Sequence, residues 1–396
     1  MGMRVLFIQY AGDYREAVRN LAQGKGDNYY AQQYSVDAVA GIAKSGNDVA
    51  TLCCLTDTSY DEVLENGVRA IGAGFSTDVG AKEILKLVKN YDPTHIIART
   101  PIREVLNWAI ENNVKVIATL ADSFTVEGLK DRIRNYRLAR LLNNKGVTWV
   151  GNHGVTASTE LKKIGVKASK IVPWDWPHEV TPSDYTPKTL PTQKTVWDVV
   201  FVGAITELKG IGDILEAIAI LKSEGISVQL KAIGRGDLET YINRARELKI
   251  EDSVEFLGLI PNKNIIPAMR VADVVLIPSR DRYPEGFPMT IYEALCARTP
   301  IIASSHPMFR EKLIDQTNAL IFPSGNSAAL AHSIKKLTSS PDLYENLSMS
   351  SATAWNSLQI PVKWADLVNR WLSNSPTDRQ WLTSNTLSSG RYQQAP

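Results

Sequence analysis

A chain of 396 residues is too long for one ordinary core, and its size favours two domains or more. Its 44 basic and 42 acidic residues nearly cancel, so no global charge draws it onto nucleic acid. No apolar run approaches the length of a membrane span. The three cysteines, with Cys53 and Cys54 adjacent, make neither a disulfide framework nor a metal spacing, which fits a reducing cytoplasm.

Residues 1–8 lack the long apolar region of a signal peptide and read as the start of a first strand. Further short apolar strands are expected at 48–54, 95–98, 114–119 and 148–151, with helical stretches at 30–43 and 82–90 between them. Residues 13–23 have helical periodicity and carry Arg15 and Arg19, which suits a surface helix or a lid. The stretch 130–142 is a basic helix with apolar residues at helical spacing, which suits a helix packed on the sheet or one resting on an anionic membrane. Five prolines between 173 and 195 interrupt the alternation and read as a hinge linker.

Beyond the linker, strands are expected at 197–202, 228–233, 254–257, 274–277, 300–303 and 319–321, with a helix at 211–222. Alternating strands and helices imply parallel sheets wound on both faces. The expected organisation is an α/β chain of two doubly wound, Rossmann-like domains facing a central cleft. Residues 1–172 form the first domain, 173–195 the linker and 196–345 the second domain; helices follow over 346–372, and a polar tail over 373–396 frays.

The most informative stretch is Pro284-Glu285-Gly286-Phe287-Pro288-Met289-Thr290-Ile291-Tyr292-Glu293. A turn-forming segment runs into a helix whose free N–H groups make a phosphate site. Glu285 before that helix and Glu293 inside it are placed to accept hydrogen bonds from hydroxyls, a combination that suits a nucleotide sugar. Strand 197–202 ends near Gly203, and Lys209 and Gly210 precede the helix at Ile211, where a lysine neutralises a diphosphate well.

Glu285-x7-Glu293, followed by Ala294-Leu295 and Pro300-Ile301-Ile302-Ala303, resembles the signature of retaining glycosyltransferases of family 4, which have the GT-B fold. The resemblance is strong over 195–340, moderate over 145–175 and weak before that, and it implies that 1–172 is the acceptor-binding domain, 196–345 the nucleotide-sugar (donor) domain, and that the helices over 346–372 cross back to the first domain. It implies a metal-independent, retaining transfer from a UDP- or GDP-sugar to a glycan, lipid-linked or small-molecule acceptor, with the nucleotide sugar as co-substrate and no cofactor. It implies that Glu285 binds the donor sugar, that Glu293 binds the ribose, and that Gly203 and Lys209 meet the pyrophosphate. Backbone N–H groups around Gly286, Phe287, Met289 and Thr290 would meet the phosphate or sugar.

Two positions depart from the family pattern. Ala204 stands where an arginine is expected, which leaves Arg235 or Arg282 as substitutes, with Arg280 nearby. Ala121 stands where a histidine is expected, which leaves Asp122 as the matching residue and Arg99 and Ser123 as further acceptor contacts. Asp122 also suits a helix N-cap. His153 and His178 are other candidate histidines, and Trp174 and Trp176 suit sugar stacking or a sealed hinge. A cytoplasmic enzyme, working also at the inner face of a membrane, is the expected setting. The departures keep open a catalytically impaired nucleotide-sugar-binding scaffold. A GT-B epimerase or phosphorylase is a further alternative, and the missing Gly-x-Gly-x-x-Gly after the first strand counts against a nicotinamide enzyme.

Overall fold

Runs such as 95–98 and 274–277 are buried at every position, as parallel strands covered on both faces must be. The structure, a computed structural model, describes residues 2–24, 31–124, 128–283, 285, 289–310 and 312–392. The first sheet contains β1 (Arg4–Gln9), β2 (Asp48–Leu55), β3 (Ser59–Val63), β4 (Arg69–Phe75), β5 (His95–Ala98), β6 (Lys115–Leu120), β7 (Val147–His153) and β8 (Ile171–Trp174). Their order is β3-β4-β2-β1-β5-β6-β7-β8, with β3 antiparallel to β4 and the other pairs parallel.

The second sheet contains β9 (Val196–Val202), β10 (Ser227–Ile233), β11 (Val254–Gly258), β12 (Val274–Ile277), β13 (Ile301–Ser304) and β14 (Leu320–Phe322). Its order, β11-β10-β9-β12-β13-β14, is parallel throughout. Counted within the unit this is the doubly wound order 3-2-1-4-5-6, whose switch point lies between β9 and β12. The helix Ile211–Ser223 shows why the layers form. It buries Ile211, Ile214, Leu215, Ile218 and Leu221, one stripe at helical spacing.

The chain divides into two units. One holds the N-terminal strand, Ala31–Pro177 and the residues from Ile360 onward; the other holds His178–Gln359. The expected linker is therefore corrected. Pro173 and Trp174 lie in β8, the edge strand, where proline's missing N–H costs no ladder bond. Residues beyond 178 are tied to the second unit: Lys188 N donates to Ser348 Oγ at 2.7 Å and Arg270 Nη1 donates to Thr186 O at 2.8 Å.

The C-terminal helices divide between the units. Helix Pro341–Leu358 stays with the second, while Trp364–Ser373 packs on the first, where Trp371 Nε1 donates to Thr148 Oγ1 at 2.7 Å. The expected fraying after 373 is overturned for the described residues, while 393–396 lie outside them. Ser375 caps a helix Pro376–Ser384 by accepting from Asp378 N at 3.1 Å, Leu382 is buried, and the Arg370 guanidinium lies 4.3 Å from the Trp381 ring centre.

The lid or surface helix expected at 13–23 forms over Tyr14–Ala22 and is clamped to β3. Tyr60 Oη donates to Asp13 Oδ1 at 2.6 Å, Arg15 and Arg19 pair with Glu62, and the Arg15 guanidinium lies 3.6 Å from the Tyr60 ring centre. No described helix is long and apolar enough to cross a membrane.

Candidate active site

Ligands of doubly wound sheets sit outside the strand C-termini at the switch point. In the second unit that places the loops after β9 and β12 side by side. Thr206 opens a short 3₁₀ turn, Glu207–Lys209, that presents Lys209. Gly210 ends it at φ 81°, and an added Cβ there would stand 2.3 Å from Pro278 O, so only glycine fits. Lys209 Nζ forms an ion pair with Glu285 Oε1. Ser279 Oγ donates to the same oxygen at 2.6 Å, and Lys209 Nζ lies 4.4 Å from the Tyr283 ring centre. The two groups expected to meet one ligand thus meet each other.

Gly203 N donates to Ile233 O at 2.9 Å, and an added Cβ at Gly234 would lie 1.8 Å from Gly203 O. That backbone contact brings Arg235 beside Ala204: Ile205 N donates to Arg235 O at 2.7 Å, and the Arg235 side chain is exposed. Arg282 is exposed as well. Arg280 is committed elsewhere, forked onto buried Asp213 at 2.7 and 3.0 Å and paired with Glu207 at 2.6 Å. Gly286 and Phe287 lie outside the described residues.

The helix beyond them covers Met289–Ala297, with Met289 and Thr290 half-buried in its first turn. Glu293 points into the unit and is buried, accepting from Asn262 Nδ2 at 3.1 Å. Burial lifts its carboxyl to about 7, against a smaller lowering by the Asn262 bond. Asn262 opens the 3₁₀ turn Asn262–Asn264 that follows β11.

In the first unit the switch point lies between β1 and β5. Gln9 ends β1 and Arg99 follows β5, and Arg99 Nη1 donates to Gln9 Oε1 at 3.1 Å. Gln9 Nε2 donates in turn to Gly12 O at 2.8 Å, fixing the first loop. After β6, Asp122 is exposed and Ser123 half-buried. Asp122 O accepts from Asn152 Nδ2 at 2.9 Å, and partial desolvation by the surrounding chain raises the Asp122 carboxyl above its usual value. Asp122 does not cap the next helix, Leu129–Leu142, whose N-cap is Gly128.

His153, ending β7, is buried with Nε2 3.0 Å from Asp175 Oδ1. Arg99, Asp122, Ser123 and His153 therefore share the strand-end edge of the first sheet. His178 instead belongs to the second unit and stacks on Tyr292, ring centres 4.5 Å apart. The tryptophan pair is structural. Trp174 and Trp176 are both buried, edge to face at 4.9 Å, which removes them as a sugar platform.

Among the described residues no group of three or more His, Cys, Asp or Glu side chains gathers as a metal ion would require. The sequence reading missed Ser279, Asn262, Asp175 and His306. Ser279 lies only six positions from Glu285, whereas Asn262, Asp175 and His306 act across 31, 22 and 23 positions, where the sequence carries no periodic signal. His306 follows β13 and bonds to Tyr283 O.

Residues 184–352 match the family model for glycosyl transferases group 1. The match falls within the unit that holds Lys209, Glu285 and Glu293. Over 144 residues the chain is 32% identical to the amylovoran biosynthesis glycosyltransferase AmsK of Erwinia amylovora, covering 35% of each chain. Over 157 residues it is 34% identical to a phosphatidyl-myo-inositol mannosyltransferase of Mycobacterium leprae, covering 39% of this chain and 41% of that one. The chain thus spans well under half the length of the curated relatives it matches. Sucrose-phosphate synthase from Thermosynechococcus elongatus shares the fold: TM-score 0.67, 18% identity, 94% of this chain and 100% of that one. The fold is GT-B, with two Rossmann-like α/β domains.

Proposed function

We propose that this chain is a glycosyltransferase that moves a sugar from a UDP- or GDP-sugar to a carbohydrate, lipid-linked or small-molecule acceptor, with retention and without a metal ion. The observation that carries the reading is the pairing of Lys209 with Glu285 at the second unit's switch point, beside the helix that holds Glu293. The partial matches to glycosyltransferases support it.

In this reading donor binding divides the pair. Lys209 turns to the diphosphate, Glu285 to the sugar hydroxyls and buried Glu293 to the ribose. The bond from the anomeric carbon to the phosphate oxygen breaks, and the acceptor oxygen bonds to that carbon from the same face. The acceptor's proton passes to the leaving phosphate. Lys209, with Arg235 standing in for the arginine missing at 204, stabilises the charge that develops on the nucleotide, and this electrostatic contribution dominates. Arg99, Asp122 and Ser123 hold the acceptor at the strand ends of the first unit.

A lipid-linked acceptor is favoured by the helix Leu129–Leu142. Leu129, Ile133 and Tyr136 are 73%, 44% and 66% exposed. They fall on one helix face, with Arg132, Arg137 and Arg140 beside them, and this face suits an anionic lipid surface at the inner side of a membrane. The relative that acts on phosphatidyl-myo-inositol is named for such an acceptor.

Thermal unfolding with UDP, GDP, ADP and their sugar conjugates tests the donor. One nucleotide at about a hundred times its dissociation constant should add roughly 2.7 kcal/mol of stability. Glu293→Ala should abolish that gain. No response to any nucleotide sinks the reading. Binding without donor turnover, even with acceptors supplied, would bring forward the impaired scaffold, for which Ala204 is the specific observation.

A further inference from the structure

Tyr283 is the hub of the loop that carries Glu285. Its carbonyl accepts from Glu285 N at 2.7 Å, and its ring lies 4.4 Å from Lys209 Nζ. The same carbonyl is 3.1 Å from His306 Nε2, on a segment that arrives from β13. His306 is buried, 2% exposed, against Phe309.

Its protonation follows from its partners. Nδ1 accepts from Met308 N at 3.2 Å, where it caps the 3₁₀ turn Pro307–Phe309, so the proton sits on Nε2 and is donated to Tyr283. Burial holds the ring below its usual titration range. The charged groups that face it are Glu285 and Asp281, which oppose that lowering, and Lys209, which adds to it. The rest of the loop is braced from the same side. Ser304 Oγ donates to Ser279 O at 2.5 Å, and Asp281 N donates to Ser324 Oγ at 3.1 Å.

We infer that His306 is a positioning residue: through the Tyr283 carbonyl it sets where Glu285 and Lys209 stand. The inference deepens the glycosyltransferase reading and rests on it for its catalytic consequence. His306 bonds to neither Lys209 nor Glu285. It acts by fixing the peptide that the Glu285 amide bonds to and the ring that Lys209 lies over. The sequence gives no warning of it, since Ser304-Ser305-His306-Pro307 reads as an ordinary loop.

Two conservative variants separate the two bonds of the ring. In His306→Asn the side-chain oxygen overlays Nδ1, so the cap on Met308 survives and the tie to Tyr283 is lost. In His306→Gln the amide nitrogen reaches where Nε2 stood, so the tie survives and the cap is lost. Hydrogen exchange on the full chain reads the loop directly. Protection of the segment 279–285 should fall roughly threefold to tenfold in His306→Asn, the range one hydrogen bond contributes, and stay near wild type in His306→Gln. Donor turnover should fall on the order of tenfold to a hundredfold in His306→Asn, mainly in kcat, with His306→Gln restoring most of it. A residue that merely stabilised the fold would give the opposite order, because Gln lacks the cap. Equal exchange of 279–285 in wild type and both variants overturns the inference. If the wild type binds no nucleotide sugar but the exchange pattern appears as expected, the positioning role stands and only the glycosyltransferase reading fails.

Discussion

Lys209 and Glu285 close on each other between the ends of β9 and β12, 13% and 6% exposed at the side chain, with Ser279 donating to the same carboxylate oxygen. A buried pair of this kind is costly to break from one side, because the remaining charge has no partner. Lys209→Met should therefore destabilise the second unit by about 3 kcal/mol. Adding Glu285→Gln should recover part of that loss. Urea denaturation of the single and double variants measures the coupling. Losses that simply add would show that the pair does not act as a unit.

Glu293 gives the protein a pH dependence of definite sign. Its carboxyl titrates at about 7 when folded and near the ordinary value of 4.5 when unfolded. Between those limits the folded state holds a proton that the unfolded state has released. Its contribution to stability is therefore full below about 4.5 and is lost as pH rises through about 7. Glu293→Gln should flatten this part of the stability profile. If the ionised carboxylate receives the ribose hydroxyls, nucleotide affinity should rise from pH 6 to 8 in the wild type and stay level in the variant, a comparison calorimetry can make.

The exposed face of the helix Leu129–Leu142 predicts binding to vesicles that contain anionic lipid and weak binding to neutral ones. Replacing Leu129, Ile133 and Tyr136 by serine should abolish co-sedimentation at a modest cost in thermal stability, because Leu129 and Tyr136 are mostly exposed and only Ile133 buries more than half of its surface. Equal sedimentation of the triple variant would remove the membrane proposal.

Leu382 tests the segment expected to fray. It is 1% exposed within the helix Pro376–Ser384. Leu382→Ala should cost about 2–3 kcal/mol, as a well-packed leucine does, whereas a frayed tail would tolerate the change. Chemical denaturation distinguishes the two.

The elements readable in the sequence are those whose burial leaves a local mark. β5 and β12 are apolar at every position because both faces are covered, and the helix Ile211–Ser223 carries its stripe openly. The hairpin β3–β4 escaped because its outer strand is at no point fully buried and its inner strand contains Gly72 and Gly74. An added Cβ at Gly72 would meet the Tyr60 ring at 2.2 Å, so the glycine that weakens the pattern is what lets the strands pair. β8 escaped because Pro173 reads as a breaker, although an edge strand tolerates it. Of the candidate site, Lys209, Glu285 and Glu293 were singled out from local motifs. That Lys209 and Glu285 pair, and that His306 braces their loop, depends on contacts across 76 and 23 positions, for which the sequence has no periodicity.

The return of the chain at Ile360 has a consequence for biosynthesis. Trp364, Leu367 and Trp371 are buried in the first unit, yet they leave the ribosome after the whole of the second. The first sheet is therefore translated early and waits with part of its apolar surface uncovered, while the contiguous 178–359 segment can finish its core beforehand. Completion runs against the direction of synthesis: the half made last is sealed before the half made first. A chain stopped at residue 359 should yield a protease-resistant 178–359 fragment and a readily digested N-terminal half. The first unit would then depend on chaperones until its closing helix emerges.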